Sequence, residues 1–197
     1  MKYVVGTKDI NLIVRGCEDD DGQVQLRALA DSDLNGHKLH NIEARKHRSR
    51  GGYVVFFGPA VIKARSYLQS LTAISSQEAE YLAMLETCFV LMFFVQLLRD
   101  LGYDPPTPQM FCDCQPALDM VMAQIPRDSS RHVAMRHSRL RELLWADAAR
   151  VFKVHTQRNV ADMQTKPLPR EVFERLRPYL QGQEIVDWTK VHLPMVD

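Results

Sequence analysis

Residues 71–102, LTAISSQEAEYLAMLETCFVLMFFVQLLRDLG, constrain the fold of this chain more than any other stretch. They read as one long helix with its own start and stop. Ser75 is a good N-cap and Glu78 lies three residues on, the spacing of a capping box. Tyr81, Leu85, Cys88, Met92 and Val95 recur at the period of a helix face, while Phe89, Leu91, Phe93 and Phe94 fill much of the remaining circumference. A helix apolar nearly all round is expected to be buried. Gly102 suits a C′ position, with Pro105 just beyond. Such a helix lies across a sheet, and the flanking sequence supplies the strands.

Residues 24–30 (VQLRALA) read as a strand running into Asp31-Ser32-Asp33. Residues 53–57 and 60–64 (YVVFF and AVIKA), joined by Gly58-Pro59, carry a hairpin signal. Together these suggest three consecutive antiparallel strands before the helix. After it, residues 109–112 form a short apolar strand ending at Asp113, and residues 117–122 continue as a short helix. By the right-handed crossover rule, the strand after the helix pairs parallel with the first strand. That pairing would set Asp31 and Asp113 side by side at one end of the sheet. Residues 151–155 (VFKVH) read as the last strand. Ala161-Asp162 begins a helical turn, and Pro169 at a first helical position opens a further helix ending near Gly182. The segment from Gln183 has Val186, Trp188, Val191 and Leu193 in loose alternation, suited to an extra strand or to partial disorder.

The acids are the chemically informative residues. Glu78 has a capping role, whereas Glu80 sits at the edge of the apolar face with none. Asp31, Asp113 and Asp162 each admit a local reading, as a turn or helix-start acid. If all four converge at one sheet end, they repel one another unless a cation neutralises them, and hard oxygen donors favour Mg²⁺ or Mn²⁺. Two such ions ~4 Å apart suit in-line phosphoryl displacement. Two basic segments would hold a polyanion beside them. Residues 37–50 carry Lys38, Arg45, Lys46, Arg48 and Arg50; residues 127–141 carry five arginines, Arg131, Arg136 and Arg139 among them, with Asp128 the sole acid before Glu142. Either segment also reads as a solvated face, but the formal net charge of +1 makes the clusters notable as anion-binding surfaces.

The 197 residues suit one domain with a real core. Four cysteines without an even framework point to free thiols in a reducing compartment, hence an intracellular protein, cytoplasmic or nuclear rather than secreted. Cys112 and Cys114 lack the partners of a zinc site. The acidic turn 18–22 lacks the spacing of a calcium loop. The longest uninterrupted apolar run, residues 88–95, is far short of the ~20 residues of a membrane span, and no membrane partner is expected.

With these motifs in order, the chain resembles the ribonuclease H domain of copia-type retrotransposon polyproteins. The motifs are Ala30-Asp31-Ser32-Asp33, Gly52-Tyr53-Val54-Val55-Phe56-Phe57-Gly58, Ser75-Ser76-Gln77-Glu78-Ala79-Glu80-Tyr81, Cys112-Asp113-Cys114-Gln115-Pro116-Ala117-Leu118 and Ala161-Asp162 followed by Thr165-Lys166-Pro167-Leu168-Pro169. The similarity spans roughly residues 1–180. It departs at Leu34 and Ala64, where the family has aromatics, and at Ala134, where it has an acid.

The resemblance implies an α/β, ribonuclease H-like fold. A five-stranded mixed sheet, three antiparallel strands then parallel ones, is flanked by helices, with the long helix at about 75–102 in the centre. It implies a lead-in from a reverse-transcriptase connection at 1–22, the domain at 23–182 and a tail at 183–197. The four metal-binding acids fall on Asp31, Glu80, Asp113 and Asp162. Asp31 and Asp113 would share two Mg²⁺ ions (Mn²⁺ a substitute), Glu80 would hold the one on the attacking side and Asp162 the other. His155 would aid proton transfer or product release. The implied activity is two-metal hydrolysis of the RNA strand of RNA–DNA hybrids, with a reverse transcriptase domain of the same polyprotein as a further partner. Two other readings stand beside it: a catalytically inactive retroelement relic that binds nucleic acid or a protein partner, and a related polynucleotidyl transferase, against which the spacing after Asp113 and the 165–169 motif argue.

Overall fold

The computed structural model describes residues 11–14, 16, 24–34, 48–122 and 131–193, with the side chains of 131–137 and 190–193 outside that set. Three strands open the fold: β1 (Leu26–Asp33), β2 (Arg50–Phe57) and β3 (Ala60–Leu68). They pair antiparallel in sequence, and Gly58 turns the β2–β3 hairpin at a positive φ of 56°. Both hairpin strands run beyond the apolar pentapeptides that signal them. Strand β1 likewise does not stop at Ala30: it continues through Asp31, which pairs with Gly52. The ladder to β2 satisfies the backbone there, so a polar side chain does not end the strand.

Helix α1 (Ser76–Asp100) follows. The Ser75 hydroxyl accepts the Glu78 N–H at 3.1 Å, and Glu78 reaches back to accept the Ile74 N–H at 2.8 Å. The far end closes through Gly102 at φ 85°, where Gly102 N–H bonds the Arg99 carbonyl and Tyr103 N–H the Leu98 carbonyl, the paired bonds of a Schellman stop. The two ends of the helix are therefore where the local sequence sets them.

Its burial is not. Tyr81, Ala83, Met84, Cys88 and Leu91 are fully buried, but Phe93 is 60% exposed, and Phe89, Met92 and Leu97 are also open to solvent. The helix outruns the sheet beneath it, so its C-terminal half is covered along one flank instead of all round. Between Tyr81 and Leu98 the only charged residue is Glu86, and by length and composition alone this helix would suit a membrane span. Counting an uninterrupted apolar run missed that property. In this fold its inner flank packs on the sheet.

Strand β4 (Gln109–Cys112), helices α2 (Gln115–Met122) and α3 (Arg131–Trp145) and strand β5 (Arg150–Val154) come next, then a 3₁₀ turn at Thr156–Arg158, helix α4 (Asp162–Thr165) and helix α5 (Arg170–Leu180), with Pro169 flanking α5 rather than opening it. The tail adds a short helix α6 (Trp188–Val191) and a two-residue strand β6 (His192–Leu193). The sheet order is β3-β2-β1-β4-β5-β6. Its five principal strands form the expected mixed sheet, with β4 and β5 parallel to β1 and the tail strand antiparallel on the edge.

Alternating residues of the strands feed two cores. On one face Leu26, Ala28, Ala30, Tyr53, Val55, Met110 and Cys112 meet α1, α2 and α3. On the other, Leu29, Val54, Phe56, Phe111 and Val154 meet Val160, Leu176 and Val186. Trp188 packs edge-on against Phe56, at 5.2 Å between ring centroids. Covering both faces suits the parallel strands at the centre and leaves the strand ends as the place for chemistry.

Candidate metal centre

The parallel register of β1 and β4 pairs Leu29 with Phe111. Two residues further along each strand stand Asp31 and Asp113, side by side as the crossover rule requires. Asp162, the first residue of α4, comes to the same point: single oxygens of Asp31, Asp113 and Asp162 all lie within 4.8 Å of one another. Glu80 enters from the opposite face, in the second turn of α1. It is buried, accepts the Ser32 N–H at 3.2 Å, and groups with Cys112 and Asp113 within the same 4.8 Å limit. The Cys112 thiol donates to Glu80 Oε2 at 3.8 Å. The structure thus brings all four predicted acids together at one end of the sheet, along with the Cys112 thiol.

Neighbouring groups fix these acids. Thr165 Oγ1 donates to Asp31 Oδ2. Lys166 Nζ lies 3.0 Å from Asp31 Oδ1 and 3.1 Å from Asp162 Oδ1. Buried Asn159 donates to the Ala30 carbonyl at 3.2 Å and to Asp113 Oδ1 at 3.4 Å, while its own oxygen accepts the Ala161 N–H. The Lys153 ammonium bonds the Asp113 carbonyl. Gly52 makes the approach possible: a Cβ there would stand 2.5 Å from Gln164 Cβ and 2.7 Å from Thr165 Cγ2.

Crowded carboxylates with little water resist ionising. Burial, and then the charge of Asp162, push Asp31 up to about 7. Burial, followed by Asp31 and Asp113, pushes Glu80 up to about 9. Asp162 is raised, chiefly by burial. Burial works to lower the Lys166 ammonium, but Asp31 and Asp162 together outweigh it and hold it above its ordinary value. This set fits a hard divalent cation. The donors are carboxylate oxygens, they are close enough to share an ion, and a cation, the Lys166 ammonium, already sits between two of them.

His155 follows β5, exposed, and its Nδ1 accepts the Gln157 N–H at 3.2 Å. Arg50 opens β2 opposite Asp33, at the same sheet end as the acids, and donates to Ser66 at 3.0 Å. Arg48 precedes it and is half-buried. Lys38, Arg45 and Lys46 lie outside the described residues, as do the side chains of Arg131 and Arg136. Arg139 faces Glu142 at 3.7 Å on α3, with no described contact to the acids.

Sequence reasoning missed Asn159, Thr165 and Lys166 as site residues. For Lys166 a signal existed: it stands four residues after Asp162, on the same face of a helical turn. Asn159 carried no such mark in a loop of polar residues.

No protein-family model matches the chain. It is 33% identical over 149 residues, 76% of its length, to the retrovirus-related Pol polyprotein from transposon TNT 1-94 of Nicotiana tabacum. It spans about a tenth of the length of the curated relatives it matches. Among solved structures it is similar to LC11-RNase H1, isolated from compost, over 77% of this chain and 96% of that one, with 12% identity and a TM-score of 0.53. The same protein in complex with an RNA/DNA hybrid matches over 72% of this chain and 94% of that one, with 11% identity and a TM-score of 0.52. A mixed sheet of this order, the shared motifs and these relatives agree: the chain belongs to the ribonuclease H-fold domains of copia-type retrotransposon Pol polyproteins.

Proposed function

We propose that this chain is a divalent-metal-dependent endonuclease that hydrolyses the RNA strand of an RNA–DNA hybrid. The observation that carries the reading is the convergence of Asp31, Glu80, Asp113 and Asp162, from four separate elements, at one end of the sheet. Asp31, Asp113 and Asp162 would hold one divalent ion, and Glu80 with Asp113 another, Mg²⁺ by donor chemistry with Mn²⁺ as a substitute. Such ions, when bound, make a water nucleophilic and stabilise the leaving oxygen of a phosphodiester. Ion binding demands the carboxylates in ionised form, which reverses the upward shifts of Asp31 and Glu80.

The chain's own residues orient the site. Thr165 fixes Asp31, Ser32 fixes Glu80 through its backbone N–H, and Asn159 ties Asp113 to strand β1. His155, with Nδ1 engaged by Gln157, would exchange a proton at Nε2 at the open edge of the site. Arg48 and Arg50 would meet phosphates there, and Lys38, Arg45, Lys46, Arg131, Arg136 and Arg139 extend the basic surface proposed from sequence. Phosphate contacts make hybrid affinity fall steeply with salt. Recognition of hybrid over DNA duplex would rest on 2′-hydroxyls and duplex shape. Similarity to a protein solved with an RNA/DNA hybrid supports this substrate class. A reverse transcriptase region of a longer polyprotein is the natural partner, and a retroelement origin fits a protein that acts inside the cell.

The test is cleavage of an end-labelled RNA strand in an RNA–DNA hybrid, with Mg²⁺, Mn²⁺ or EDTA, alongside Asp113→Asn. Metal-dependent cutting that the variant loses is expected. A folded wild-type chain that binds hybrid but does not cut it under any of these conditions would overturn the enzymatic reading in favour of a binding module.

A further inference from the structure

The two cation positions suggested by the acids are not equivalent. The group of Glu80, Cys112 and Asp113 has no ammonium or guanidinium bonded to its side chains among the described residues. The group of Asp31, Asp113 and Asp162 already holds one. Lys166 Nζ is within hydrogen-bond distance of both Asp31 Oδ1 and Asp162 Oδ1. Asp31 Oδ2 accepts the Thr165 hydroxyl, and the ammonium occupies Oδ1 of both acids. An ion bound through either Oδ1 atom therefore meets the ammonium as a competitor.

We propose that Lys166 is the resident counter-cation of the Asp31–Asp162 position, which holds these acids together without metal and swings out as a divalent ion enters, so that it sets the metal concentration at which that position fills. The inference rests on the metal-site reading above. The side chain is suited to both states. It is one-third exposed, so its head has a way to water, and its four-carbon stem is flexible and its ammonium strongly hydrated. Thr165, fully engaged and buried, stays behind and keeps Asp31 oriented when the lysine leaves. Lys166 is thus a positioning residue in the metal-free chain and a competitor in the metal-bound one.

The test is calorimetric titration of Mn²⁺, and separately Mg²⁺, into metal-free wild-type chain, Lys166→Met and Lys166→Arg, with thermal melts in EDTA and in saturating Mn²⁺. Removing the competitor tightens the weaker Mn²⁺ site of Lys166→Met by about tenfold or more, the scale expected when a partly buried ion pair no longer has to be broken. The same variant melts lower than wild type in EDTA and recovers in Mn²⁺, whereas Lys166→Arg keeps both the weak site and the metal-free stability. A merely structural lysine would lower the melt equally in both conditions and leave the titration unchanged, and that result overturns the proposal. A measurement on the wild-type chain alone stands beside it: amine labelling of Lys166 by acetic anhydride, read by mass spectrometry, rises when Mn²⁺ is added. Unchanged labelling in a chain that binds Mn²⁺ overturns the proposal even if the variants do not fold. If neither the wild type nor Lys166→Met takes up Mn²⁺, the metal-site reading itself has failed, an outcome distinct from equal binding by both.

Discussion

Gly52→Ala is the most informative single change, because it adds one methyl at the joint between the sheet and the site. The added Cβ would lie 2.5 Å from Gln164 Cβ and 2.7 Å from Thr165 Cγ2. Favourable carbon–carbon contact begins at ~3.5 Å, so α4 and β2 must part by about 1 Å. Neither obstructing atom is the far end of a flexible side chain, and strand β2 is held by β1 and β3 on either side, so the movement falls on α4. Thr165 and Lys166 travel with it, away from Asp31. Overpacking of this kind costs about 1–3 kcal/mol, a fall in Tm of about 2–12 °C for a chain of this size. A displacement of about 1 Å at a reacting centre lowers catalysis by about a hundredfold. Melting in EDTA and initial rates of hybrid cleavage measure the two effects. Gly51→Ala is the comparison on the opposite face: its Cβ would meet the ring of Tyr67 at 2.5 Å, a side chain of β3, so it lowers Tm without pressing on α4. A Gly52→Ala chain with wild-type Tm and wild-type cleavage would refute the claim that this close approach builds the site.

Two further outcomes follow from the same geometry. Asp31 and Glu80 move from ordinary values of 3.8 and 4.5 up to about 7 and about 9 in the folded chain; the folded state therefore binds more protons than the unfolded one within that window, and metal-free stability falls as pH rises through it. Melts in EDTA should decline across the window and flatten in Mg²⁺, and a metal-free stability that climbs with pH would contradict the assignment. Asn159→Ala removes the bridge from β1 to Asp113 and leaves the Ala30 carbonyl and Ala161 N–H without it, costing about 1–3 kcal/mol together with hybrid cleavage; chemical denaturation beside the cleavage assay checks both, and unchanged values in each would show the bridge to be dispensable.

Much of the frame was determined by local chemistry. Ser75, Glu78 and Gly102 set the ends of the long helix because caps satisfy backbone groups within a turn of themselves. Alternation and the Gly58-Pro59 turn mark the hairpin, and the crossover rule puts Asp31 beside Asp113 from the order of the strands alone. The strand ends were less legible, since Asp31 reads as a strand terminator until a neighbouring ladder shows that its backbone is paired. Exposure of Phe89 and Phe93 was hidden for a related reason: a helix that is apolar all round states no preference for a buried side, and only the length of the sheet beneath it decides where cover stops. Beyond the four-residue spacing of Asp162 and Lys166, tertiary structure decided the identity of the groups that hold the acids. Lys166 and Asp31 are 135 residues apart in sequence, and the approach of α4 to β2 that joins them depends on the missing Cβ of Gly52. Sequence by itself could name the charges that must be neutralised, because like charges at one strand end repel wherever they come from; which cation lies among them is a matter of distances that exist only once the chain has folded.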